Sequence, residues 1–134
     1  MSMNFSMKDS RWAMQAFPFT LGEYGCLIVS LSCLISKTPD NVLKILLAKK
    51  CFKNNGDLEN LKAAFALGLK RYTWLPPETK ITAPIICETN YHAKSGFPKH
   101  FFVALPNGKI IDPLDGLTKD NLYKNNMVSQ RLFC

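Results

Sequence analysis

The sequence predicts an α+β domain, with helices first and an antiparallel sheet after them. Two observations point there. Apolar residues recur at helical spacing through the segments between Gly25 and Lys70, and beyond Arg71 the pattern changes to short apolar runs punctuated by Pro and Gly. No strand pattern alternates with a helix pattern, which argues against a parallel βαβ sheet. The chain of 134 residues, 47% of them hydrophobic, fits one domain over 1–134 with a core large enough to need no staples.

Residues 1–25 show no sustained period and read as an irregular lead-in, pinned to the core by Phe5, Trp12, Phe17 and Phe19. A first helix begins near Gly25 or Cys26 and runs to about Ser36. It is apolar on nearly every side and should be buried all round. In "KTPDNVLKILLAKK" Thr38 suits the N-cap, Pro39 the first helical position and Asp40 the positive helix end, with Val42, Leu43, Leu46 and Leu47 on one apolar face. In "NNGDLENLKAAFALGLK" Gly56 breaks the chain and Asp57 caps. Leu58, Leu61, Ala64, Phe65 and Leu69 then form the expected buried face. "RYTWL" is short and aromatic, Pro76-Pro77 is a turn, and "APIICE" reads as a buried strand. "HFFVAL-PNGK-IIDP" is a hairpin across Asn107-Gly108, and "SQRLFC" is a closing strand.

Charge and cysteines narrow the function classes. The net charge is +7, but the lysines are scattered and no basic run is interleaved with aromatics as in a nucleic-acid groove. The charge suits either an anionic partner such as bacterial cell wall or plain solubility. No apolar run reaches the length of a membrane span, and the first residues lack the apolar core of a secretory signal, so a cytoplasmic site of synthesis is expected. Five cysteines stand without a CxxC pair and without histidines at ligand spacing. Neither a metal site, a cofactor nor a disulfide framework is expected.

Cys26 is the residue that carries chemistry. It follows Gly25 at a predicted helix start, where unpaired N–H groups favour a thiolate and the glycine lets a substrate come close. A cysteine in front of an apolar helix is also a common packing residue, so partners decide. A nucleophilic thiol needs an imidazole as base and acid, and the imidazole needs a carboxylate to orient it. The hairpin offers His100 at the start of its first strand and Asp112 at the end of its second. His92, in the polar stretch "TNYHAKSG", is the rival base. Side chains alternate along strands, so a two-residue turn would send His100 and Asp112 to opposite faces. A three-residue loop or a bulge is therefore expected. It would set Asp112 opposite Ala104 and turn His100, Phe102, Ala104 and Asp112 to one face.

"DSRWA", "GEYGCLIVSLSCLIS", "TPDNVLKILL", "HFFVALPNGKIIDPLDG" and "SQRLFC" follow in an order and spacing that resembles a known family. From about Asp9 to Cys134 the chain is similar to the stand-alone relatives of the bacteriocin-leader-processing (double-glycine leader) cysteine peptidases. The likeness implies a papain-like fold and a triad of Cys26 as nucleophile, His100 as base and acid, and Asp112 as orienting acid. It also implies a peptide or a cell-wall (peptidoglycan) peptide as substrate. It allows a phage context, with other phage structural proteins as partners and a virion-associated location.

One departure stands out. The family carries a glutamine ahead of the cysteine whose amide helps hold the oxyanion. In the stand-alone members it stands two residues before the aspartate of the D-x-R-W element, which here is Met7. In the leader-processing members it stands six residues before the cysteine, which here is Thr20. Gln15 matches neither place. Thr20 and Gln15 are the remaining oxyanion candidates beside the Cys26 N–H, and loss of one such donor costs ~10²–10³ in rate. Two readings follow: a thiol hydrolase working through an acyl-enzyme, or a weak or inactive papain-like module that serves as a structural or binding component.

Overall fold

The uncharged run after Gly25 becomes the central helix of the molecule. In the computed structural model, which describes residues 4–15, 25–90 and 100–134, helix α1 spans Cys26–Ile35. Val29 and Leu31 are fully buried and Ile28 and Cys33 nearly so. Each large side chain removed from water in this way contributes about 1.5–3 kcal/mol. The helix stops at Ser36, which turns left-handed (φ 58°) and bonds its N–H to Ser32 C=O.

Helix α2, Pro39–Ala48, begins where Pro39 was expected at the first turn, with Val42, Leu43 and Leu46 inward. Two details differ. Thr38 occupies the N-cap without a side-chain cap bond, and Leu47 lies outside the buried face, 45% exposed. Helix α3 is shorter than the sequence suggests, Asn60–Ala66, with Glu59 rather than Asp57 at its N-cap. Asp57 belongs instead to a tight turn. It accepts from the Asn55 amide at 3.1 Å, its C=O accepts from Lys53 N–H, and Gly56 takes φ 90°. A bridge between Phe52 and Leu58 closes that turn. The later start rotates the buried face onto Ala63, Ala64 and Leu67, and leaves Leu61 and Phe65 half or more exposed.

Six strands follow: β1 (Tyr72–Leu75), β2 (Ile85–Thr89), β3 (His100–Ala104), β4 (Lys109–Asp112), β5 (Leu117–Asp120) and β6 (Met127–Phe133). They form one antiparallel sheet in the order β1-β6-β2-β3-β4-β5. The helices lie on one face, where Ile86, Val103 and Ile111 join α1–α3 in the main core. The period of two along each strand sends Ile85, Cys87, Phe102, Ala104 and Ile110 to the other face, where they cluster around Tyr123. The architecture is thus α+β, as the element pattern predicts.

The lead-in is tied down at both described aromatics. Phe5 and Trp12 are buried with rings edge-on at 5.6 Å, and Trp12 Nε1 donates to Ser6 C=O at 2.8 Å. Met7 N–H donates to Pro113 C=O at 2.7 Å, and Ser6 Oγ to Leu114 C=O at 3.2 Å. This lays the lead-in over the β4–β5 turn. Phe17 and Phe19 lie outside the described residues. Among the described residues, no single helix is long and apolar enough to cross a membrane.

Candidate active site

The β3–β4 hairpin decides whether His100 and Asp112 can meet. Leu105 N–H bonds Lys109 C=O at 2.9 Å, so Pro106, Asn107 and Gly108 form a three-residue loop, with Gly108 left-handed at φ 82°. Val103 pairs with Ile111 and Ala104 with Ile110. The loop length is the expected one, but the register is shifted. Asp112 falls level with Phe102 rather than Ala104. The shift is by two residues, so the side-chain faces are unchanged. His100 and Asp112 share a face, and His100 Nε2 lies 2.9 Å from Asp112 Oδ1.

Both residues are almost fully buried, at 1% and 2% exposure. A carboxylate in such a place needs donors. Leu114 N–H gives one to Oδ1 at 3.1 Å, and Tyr123 Oη gives another to Oδ2 at 2.7 Å. Lys119 Nζ stands 3.9 Å from Oδ2. Burial pushes the Asp112 carboxyl up, but the bonds from His100 and Tyr123 outweigh it and hold the group below its ordinary value. The Tyr123 ring also stands edge-on to the imidazole at 5.3 Å.

Cys26 is the first residue of α1, 7% exposed. The first intrahelical bond runs from Val29 N–H to Gly25 C=O, so the N–H groups of Cys26, Leu27 and Ile28 point out of the helix end. Cys26 lies close enough to act on the imidazole. Burial lowers the His100 pKa, but the bond to Asp112 and the adjacent Cys26 sulfur reverse this and lift it to about 9. Nε2 is taken by Asp112, while Nδ1 is buried with no aligned hydrogen-bond partner. The ring is thus oriented by a carboxylate on one side and carries a nitrogen open for proton transfer on the other.

The remaining cysteines differ. Cys33 takes the Phe5 N–H on its sulfur at 3.4 Å, and burial pushes its thiol to about 11. Burial lifts Cys87 to about 12 and also raises Cys51. Cys134 is exposed, with Arg71 Nε 3.2 Å from its sulfur. All five are free thiols, and among the described residues no His, Cys, Asp and Glu side chains gather as a metal site would require.

Of the oxyanion candidates, Gln15 is exposed, and Thr20 lies outside the described residues, as does the rival base His92. Met7 is fully buried in the main core. Sequence reading missed Tyr123. It sits in the polar stretch "DNLYKNN", where only its being a large aromatic among polar residues marks it. A scan against models of known protein families finds no match to this chain, and a search of curated proteins finds none either.

Proposed function

We propose that this chain is a cysteine hydrolase of papain-like fold that cleaves a peptide bond through a thiol acyl-enzyme, related to the double-glycine leader peptidases. The observation that carries the reading is the buried His100 ring, bonded through Nε2 to Asp112 and standing beside Cys26 at a helix start. In the reaction, His100 Nδ1 takes the thiol proton and the thiolate attacks the carbonyl carbon. The oxyanion develops at the N–H groups of the α1 terminus. His100 then protonates the leaving amine, and water, deprotonated by the same ring, hydrolyses the thioester. The net charge of +7 supports an anionic cell-wall peptide as substrate, and a phage or bacterial setting fits that choice.

The fully buried Met7, where a glutamine donor would stand, favours a second reading in which the fold is kept as a binding module with little or no turnover. Alkylation separates the two. Iodoacetamide at pH 6, followed by peptide mass mapping, should modify Cys26 faster than the exposed Cys134. His100→Ala should slow Cys26 and leave Cys134 unchanged. Release of new amino groups from a peptide mixture or from peptidoglycan should vanish in Cys26→Ala. A Cys26 that reacts no faster than Cys134, or turnover retained in Cys26→Ala, overturns the enzyme.

A further inference from the structure

A line of charges runs from the buried Asp112 to the surface. Lys119 pairs with Ile110 across β4 and β5, and Asp112 lies two residues further on. Lys119 and Asp112 are therefore diagonal neighbours on the second face of the sheet, and Lys119 Nζ stands 3.9 Å from Asp112 Oδ2. The other partner of Lys119 is Asp115, 2.5 Å away, with a side chain 41% exposed. The β4–β5 turn fixes that carboxylate. Asp112 C=O accepts from the Asp115 and Gly116 N–H groups, and Asp115 Oδ1 accepts from Leu117 N–H at 2.9 Å. Among the described residues, no other ammonium or guanidinium lies within 4 Å of Asp112. The remaining charges nearby have other places. Lys109 and Asp120 pair with each other across the same two strands. On the lead-in over the turn, Asp9 and Arg11 pair at 2.8 Å and Lys8 is exposed.

Resting on the hydrolase reading, we infer that Lys119 is a positioning residue: shared between Asp115 and Asp112, it tempers the charge that the buried carboxylate presents to His100 and so sets how readily the ring releases its proton. Burial lowers the His100 pKa, yet Asp112 and Cys26 lift it to about 9. A protonated ring suits the first half of the reaction, since it can pass its proton to the leaving amine. The second half needs a neutral ring to take a proton from water. In the thioester the sulfur carries no charge, so its part of the lift is gone. The part due to Asp112 stays. A cation beside Asp112 Oδ2 opposes it, and Asp115 in turn opposes the cation. The half-exposed Asp115 thereby reaches the buried imidazole through two intervening side chains.

Removing the two charges should move the His100 titration in opposite directions. Lys119→Met leaves Asp112 at full strength and Asp115 unpaired, so the midpoint should rise. Asp115→Asn keeps an oxygen for Leu117 N–H but frees Lys119 for Asp112, so the midpoint should fall. Each shift should be about 0.3–1 pH unit. Lys119→Arg should keep the wild-type value, and the double variant should lie between the two single ones. NMR of the His100 ring in a Cys26→Ala background reads these midpoints without a proton shared with the sulfur. The chain with Cys26 intact gives the functional readout. p-Nitrophenyl acetate passes its acetyl group to Cys26 Sγ with loss of p-nitrophenolate, and water then releases acetate. The acid limb of that second step should move with the NMR midpoints. A merely structural Lys119 would change urea unfolding and leave midpoint and limb in place. Midpoints or limbs that stay, or that move the same way in both single variants, overturn the role of Lys119 and leave the hydrolase standing. Failure of iodoacetamide to select Cys26 overturns both. If Lys119→Met does not fold, the sign of the Asp115→Asn shift decides alone.

Discussion

Tyr123→Phe removes one oxygen from the second face of the sheet. The ring would stay against Phe102 at 4.9 Å and His100 at 5.3 Å, so packing is preserved. What goes is the 2.7 Å bond to Asp112 Oδ2, inside a group that is 2% exposed. A bond to a buried charge contributes about 1.5–3 kcal/mol, and the carboxylate would keep only His100 and Leu114 N–H at bonding distance. Urea unfolding followed by circular dichroism at pH 7 should therefore show a loss of about 1.5–3 kcal/mol. The pH dependence makes the test specific. Burial raises the Asp112 pKa, and the bonds from His100 and Tyr123 more than reverse this, leaving it below 3.8. A group with a depressed folded pKa stabilises above its unfolded pKa and loses that contribution as pH falls through the folded value. Without Tyr123 Oη the folded pKa rises. The acid unfolding limb should then move to higher pH, and the deficit should shrink once Asp112 is protonated. A deficit under about 0.5 kcal/mol, or one equal at neutral and acid pH, would refute the role given to this hydroxyl.

His100, lifted from 6.5 to about 9, should stabilise the fold fully below pH 6.5 and lose that contribution as pH rises toward 9. Cys26→Ala, which removes one of the groups lifting it, should lower the His100 titration midpoint seen by NMR. Cys33→Ala, deep in the main core, should cost about 1–2 kcal/mol in urea while leaving Cys26 alkylation unchanged. Gly116→Ala should cost about 1–3 kcal/mol in the same assay. The position is left-handed (φ 72°), and a Cβ there would sit 3.0 Å from the Phe5 and Ser6 backbone.

The parts legible in sequence were those set by local pattern. The uncharged run marked α1 because a helix buried on all sides needs no polar face. The hairpin could be read because side-chain parity and loop length together determine which residues meet. Strand β5 escaped notice: "LTKD" lies at the sheet edge, is mostly exposed and shows no alternation. The face of α3 was misread because Asp57 looks like a cap, yet it closes the Phe52–Leu58 turn and so delays the helix start. The bond from Tyr123 to Asp112 joins segments that lie apart in the chain, and no local window contains it.

The strand order β1-β6-β2 has a kinetic consequence. Residues 127–133 supply an interior strand, so any amino-terminal fragment ending before them leaves β1 and β2 each with an unpaired edge on the β6 side. The lead-in likewise waits for the far end of the chain, since Asn4 bonds Thr118 and Ser6 bonds Leu114. Such long-range pairing slows folding, and open strand edges invite association with other chains in the interval. On a ribosome the Cys26 thiol would emerge well before the histidine and carboxylate that flank it. A growing chain thus carries the Cys26 sulfur without its neighbours until the segment through Tyr123 has been made.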